Sequence, residues 1–161
     1  MYADDVKLYT KIKSVNDVLC IQSILNNVYL WSVNWQLLTL SEKCNIVSIG
    51  KATINSFKYQ YYLGHKHIIM SASMSDLGVL ISSSLCFNDH ITNITGKVHQ
   101  RASLIHRCFS SKGHSMLVKA YITYVRPLLE YNSPIWSPAS IKDIRRIEGV
   151  QRKFTKRIPG M

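Results

Sequence analysis

The stretch DLGVLISSSLCFNDHI, residues 76–91, carries two kinds of structure in succession. LGVLIS (77–82) is short, apolar and β-branched, the composition of a strand. SSSL (82–85) follows as a turn, and Asn88 or Asp89 then stands where a helix N-cap belongs. From Ile91 onward, Ile94, Val98, Ile105 and Phe109 recur with helical spacing. A change of period at this point predicts an α+β fold, with short strands around one helix before residue 90 and helices after it.

Working outward towards the N-terminus, CNIVSIG (44–50) reads as a strand, and FKYQYYLG (57–64) and HIIM (67–70) as two strands around a turn at Gly64. Val18, Ile21, Leu25, Val28 and Trp35 form the face of a helix, and Ser14 with Asp17 predicts a capping box at its start. Val6 to Tyr9 reads as a further short strand. Towards the C-terminus, Gly113 breaks the helix that begins near residue 90. Met116, Leu117, Ala120, Tyr121 and Tyr124 predict a second one, ending near Pro127. The three prolines of RPLLEYNSPIWSP (126–138) forbid a single regular helix there. Ser140 then caps a third, with Ile144, Ile147, Val150, Phe154 and Ile158 on one side and Pro159-Gly160 at its end. These readings divide the chain into residues 1–90 and 91–161.

The 161 residues are 47% hydrophobic, enough for a packed core. No apolar run approaches the ~20 residues of a membrane span. The start lacks a basic segment followed by an apolar one, so the expectation is an intracellular protein, in cytoplasm or nucleus, with no membrane partner. Cys20, Cys44, Cys86 and Cys108 are widely spaced and predict reduced, mostly buried thiols. His65-x-His67 and Cys86-x₃-His90 lack a second ligand pair at zinc spacing. Trp31, Trp35 and Trp136 are expected in the core.

Charge is segregated along the chain. Residues 1–90 hold seven lysines, no arginine and six acids, a balance of +1. Residues 91–161 hold thirteen lysines and arginines against three acids, a balance of +10, and include every arginine. Such a field predicts a polyanionic partner, nucleic acid before an anionic membrane surface. Lys142, Arg145, Arg146, Arg152, Lys153, Lys156 and Arg157 flank the apolar stripe of the last helix, and Arg101, Arg107 and Arg126 extend that surface. Contacts of this kind go to phosphates and carry little sequence information.

At the other end, YADDVKLY (2–9) sets Asp4 and Asp5 side by side. Adjacent carboxylates suit a divalent cation such as Mg²⁺, which takes one or two carboxylates plus substrate phosphates. This segment resembles motif C of a reverse transcriptase. WSVNWQLLTLSEKCNIVSIG (31–50) is similar to the motif D region of non-LTR (LINE-type, jockey-like) retrotransposon polymerases, and DLGVLISSSLCFNDHI to their motif E and the entry to the thumb. AYITYVRPLLEYNSPIWSP (120–138) and DIRRIEGVQRKFTKRIPGM (143–161) resemble the segments that follow.

The resemblance implies the end of a palm subdomain over 1–90 and a basic helical thumb over 91–161, from an RNA-directed DNA polymerase acting by two-Mg nucleotidyl transfer. It implies that Asp4 and Asp5 hold Mg²⁺, that Lys43 serves the pyrophosphate leaving group, that Tyr2 flanks the primer end, and that Leu77, Gly78 and Val79 support the primer strand. RNA template and DNA primer are the implied partners. Leu40 departs from the asparagine common at its position. The family's motif A aspartate and fingers lie upstream of motif C, so these 161 residues by themselves are expected to be inactive, with no tightly bound cofactor. The alternatives are a non-catalytic template–primer binding module and a non-functional transposon relic.

Overall fold

The computed structural model describes residues 5–37, 41–50, 59–109 and 113–158. It mixes helices with short strands, as the α+β expectation requires, in two compact units, Met1–Met74 and Ser75–Met161.

In the first unit α1 spans Val15–Asn34. The capping box forms as the sequence predicts: the Asp17 carboxylate accepts from the Ser14 and Lys13 backbone N–H groups, both at 2.8 Å. These bonds hold the Asp17 carboxyl below its ordinary value. Val18 of α1 is buried against Tyr61, Leu63 and Ile68, with Ile21, Leu25 and Tyr29 packed beside them. Trp35 does not share that face; it caps the C-terminal end and is 67% exposed, and Trp31 is also exposed, against the expectation of core residues.

The strands here are shorter than the sequence suggests. β1 (Asn45–Ile46) pairs in parallel with β4 (Ile69–Met70), and β2 (Tyr62–Leu63) in antiparallel with β3 (Lys66–His67). Extended structure persists only where a partner supplies a ladder, so most of 44–50 and residues 59–61 stay irregular. Residues 57 and 58 lie outside the described residues. Residues 6–9 form no strand either: Val6, Leu8 and Tyr9 are exposed and have no buried face to hold them flat.

Gln22 of α1 substitutes for a neighbouring strand. Its side-chain amide donates to Tyr62 O at 2.9 Å and accepts from Tyr62 N at 3.0 Å, satisfying both polar groups of an edge residue. Gly64 makes the turn between β2 and β3 at φ +62°, where a Cβ would lie 2.6 Å from Tyr29 Cζ. Only glycine suits this position.

The second unit begins inside the hairpin of β5 (Ser73–Asp76) and β6 (Val79–Ser82). The reason is packing: Val79 is buried with Ile91 and Trp136, so the hairpin belongs with the helices that follow. Leu80 N donates to His90 Nδ1 at 3.2 Å, Trp136 Nε1 to Tyr131 O at 2.8 Å, and Tyr131 Oη to Leu77 O at 3.0 Å. Burial, then the charge of Lys97, holds His90 below its ordinary pKa, which keeps Nδ1 available as an acceptor.

Helix α2 runs Asn88–Cys108, one turn earlier than its first apolar residue. Phe87 occupies the N-cap without a side-chain bond, so Asn88 and Asp89 fall inside the first turn and do not cap it. Helix α3 (His114–Ala120) starts after Gly113. The expected stop at Pro127 does not occur. A π-helical turn over Tyr121–Val125, in which Arg126 N donates to Tyr121 O, carries the chain into α4 (Arg126–Glu130). Widening the helix here accommodates the proline ring and its missing N–H.

Asn132 in the left-handed region then separates α4 from α5 (Ser133–Trp136). Ser140 caps α6 (Ile141–Thr155) as predicted, its hydroxyl accepting from Asp143 N at 3.3 Å. Pro159 and Gly160 lie outside the described residues. Val98, Ala102 and Ile105 of α2, Leu117 and Ala120 of α3, Val125, Leu129 of α4, and Val150, Phe154 and Ile158 form one core.

Candidate nucleic-acid interface

The basic residues of α6 are arranged on one side of its buried stripe. An α-helix turns about 100° per residue, so positions 142, 145, 146, 152, 153, 156 and 157 fall in one sector. Val150 and Phe154 face the core, while Glu148, Gln151 and Thr155 occupy the opposite flank. Lys153, Arg146 and Arg157 thus emerge beside the packing face, while Arg145 and Arg152 lie on the side of α6 opposite it, with Lys142 and Lys156 between.

Two of the ten candidate cations are held by the protein itself. Arg146 Nη1 donates to Thr92 Oγ1 of α2 at 2.6 Å and lies 3.6 Å from the buried Asp143 carboxylate. Arg126 Nε pairs with Glu130 Oε1 at 2.6 Å on the exposed side of α4. Lys142, Arg145, Arg152, Lys153, Lys156, Arg157, Arg101 and Arg107 are exposed and make no ion pair with a described carboxylate.

Not all of these share a surface. Lys153 and Arg157 line a cleft between α6 and α2, together with His99, Ser103 and His106, over a floor of Ala102, Val150 and Phe154. The same His99 and Ser103 continue into an open groove with Gln100, Leu104 and Arg107. Arg101 lies on the other flank of α2's buried stripe, away from this groove. His99, Gln100 and Ser103 were not legible as site residues from charge alone. Their signal is the 99/103 spacing, one helical turn, on the edge that meets α6.

The imidazole of His99 is held below its ordinary pKa by burial first and by the charges of Lys153 and Arg157 second. It is therefore neutral at pH 7 in the free protein. His106 stacks in a tilted arrangement on Phe154, ring centroids 4.6 Å apart.

The acidic end is described only in part. Tyr2 and Asp4 lie outside the described residues, and Asp5 is exposed. Lys43 is exposed at the end of a 3₁₀ turn, Ser41–Lys43. Leu77 and Gly78 form the hairpin turn, both at positive φ (45° and 81°), with Tyr131 bonded across it. Val79 is buried in the core with Ile91 and Trp136, so its side chain supports the hairpin. Leu40 is outside the described residues.

Among the described residues no three His, Cys, Asp or Glu side chains gather as a metal site. Mg²⁺ takes one or two carboxylates plus substrate phosphates, and the exposed Asp5 carboxylate is the described member of such a pair. Cys20, Cys86 and Cys108 are exposed, against the expectation of burial; Cys44 is half-buried, which pushes its thiol pKa up. No helix among the described residues is long and apolar enough to cross a membrane.

Comparison with known proteins places the whole chain. It is 25% identical over 99% of its length to the RNA-directed DNA polymerase from mobile element jockey of Drosophila melanogaster, covering 18% of that protein. It is 26% identical, with the same coverage, to the jockey polymerase of Drosophila funebris. A probable RNA-directed DNA polymerase from transposon X-element of Drosophila melanogaster matches at 24% identity over 99% of the chain and 18% of its own length. The chain thus spans about a fifth of the length of these curated relatives. No protein-family model and no solved structure matches it. Along essentially its whole length the chain is a relative of the polymerases of jockey-type, non-LTR mobile elements.

Proposed function

We propose that these 161 residues are the palm-end and thumb part of an RNA-directed DNA polymerase of a non-LTR mobile element, and that alone they hold a template–primer duplex without extending it. The observation that supports this reading is the basic surface of α6 and the turn after it, where Lys142, Arg145, Arg152, Lys153, Lys156 and Arg157 are exposed and unpaired by described carboxylates. A rigid helix that presents cations on its surface suits the regular spacing of backbone phosphates, and such contacts position a duplex without reading its sequence.

In the complete polymerase Mg²⁺ supplies charge stabilisation at the transferring phosphoryl group. Asp4 and Asp5 are the residues that would hold it, and the Lys43 ammonium would stabilise or protonate the leaving group. The Leu77-Gly78 turn, pinned by Tyr131 and by His90 through Leu80, would serve as a firm support for the primer strand.

Fluorescence anisotropy with a labelled RNA–DNA hybrid tests the binding half of the proposal, with saturable binding near physiological salt as the expected result. Mg²⁺-dependent primer extension on an RNA template tests the other half. Incorporation by the 161-residue chain that an Asp4→Asn change removes would show that it is a polymerase in its own right.

A further inference from the structure

The cleft between α2 and α6 contains more than a share of a diffuse positive field. We propose that His99 and Ser103 of α2, with Lys153 of α6 and Arg157 of the turn that follows it, form a discrete site for one backbone phosphodiester of the nucleic acid, an inference that rests on the binding role proposed above. The four residues come as two pairs, each four residues apart, His99 with Ser103 on α2 and Lys153 with Arg157 at the C-terminal end of α6, lining one cleft. They supply two cations, a hydroxyl donor and an imidazole around one opening.

The floor of Ala102, Val150 and Phe154 is apolar and buried, so water is excluded from one side and the charges act at reduced dielectric. Among the described residues no aspartate or glutamate lines the cleft or the groove that continues it, and Arg107 extends the positive lining in that direction.

The chemistry gives the site a proton linkage. The charged groups that face His99 across the cleft are Lys153 and Arg157; His106 and Arg107 lie along its own helix. In the free protein burial and the two facing cations keep the imidazole neutral. A phosphate between them reverses the sign of the local field and favours imidazolium, which donates a charge-assisted hydrogen bond. Binding therefore takes up a proton, and affinity rises as pH falls through the ordinary histidine range. A diffuse basic edge of lysines and arginines has no such dependence.

The test is a charge-matched comparison in the full chain, using a short RNA–DNA hybrid. The pair of changes Lys153→Ala and Arg157→Ala removes two cations from the cleft; Lys142→Ala with Arg145→Ala removes two from the first turns of α6. All four side chains are exposed, and amide spectra verify that each variant is folded. The expected result is a ~10-fold loss of affinity for the cleft pair against about threefold for the other. Affinity of the unaltered chain should rise between pH 7.5 and 5.5, and His99→Gln should abolish that rise.

Equal losses with an unchanged pH response would overturn the cleft while leaving hybrid binding intact. If the unaltered chain binds no hybrid, the reading of the whole interface falls, and inorganic pyrophosphate becomes the probe. A shift of the His99 ring signals that the cleft pair abolishes would keep the cleft as a site for free phosphates, and no shift would overturn it.

Discussion

Arg146 of α6 donates to the Thr92 hydroxyl of α2 at 2.6 Å, while that hydroxyl donates to Asn88 O at 2.7 Å. The guanidinium also lies beside the Asp143 carboxylate, which is buried at the start of α6. Arg146 therefore fastens two helices whose edges carry the candidate interface, and its role is separable from that of its exposed neighbours.

Arg146→Ala is accordingly expected to cost stability more than affinity. A charged hydrogen bond at a half-exposed position contributes about 1 kcal/mol, and its loss leaves Asp143 with a poorer environment. Urea unfolding should register that loss. Binding of an RNA–DNA hybrid under conditions where the variant is folded should change less than with Lys153→Ala.

Two glycines make opposite predictions. Gly64 sits at φ +62° with Tyr29 within 2.6 Å of where a Cβ would stand, so Gly64→Ala should destabilise the first unit by about 1–3 kcal/mol. Gly149 lies within α6 with nothing within 4 Å of its Cβ position. Gly149→Ala should therefore stabilise the second unit by roughly 0.5–1 kcal/mol through helix propensity. Site-resolved hydrogen exchange separates the two effects, since each should be confined to its own unit.

His90 makes stability depend on pH in a defined direction. Its folded pKa is depressed below the ordinary 6.5, so its contribution is fully present above that value and is lost as pH falls through the folded pKa. Protonation turns the acceptor of the Leu80 N–H bond into a donor and releases the hairpin. Unfolding free energy should fall below pH 6.5, with a slope of at most about 1.4 kcal/mol per pH unit for each proton. His99, also depressed, adds in the same direction. His90→Asn keeps an acceptor without a titration and should remove one proton's share of that slope.

The elements that sequence reveals best are those whose signals are local. Ser14 with Asp17 and Ser140 with Asp143 mark helix starts because the capping bonds run between near neighbours. The basic surface of α6 is equally legible, since one helix's spacing determines it. What escapes is long-range. Residues 6–9 and 44–50 have strand composition, but pairing depends on partners that composition does not name. Pro127 reads as a stop because the π-turn that bypasses it depends on the surrounding core. The packing of Val79 against Trp136 joins residues far apart in sequence. The cleft likewise depends on the register between α2 and α6, so His99 and Ser103 could not be paired with Lys153 and Arg157 beforehand.

The salt dependence of hybrid binding tests the proposed role most directly. Association constants for an RNA–DNA hybrid would be measured from about 50 to 200 mM salt, a range over which phosphate neutralisation dominates the change. If the basic surface of α6 with Arg107 engages the backbone, log affinity should fall linearly with log salt at a slope of about −5, reflecting five or six phosphate contacts. A slope near zero, or no binding at the lowest salt, would contradict the assignment of these helices to a nucleic-acid interface.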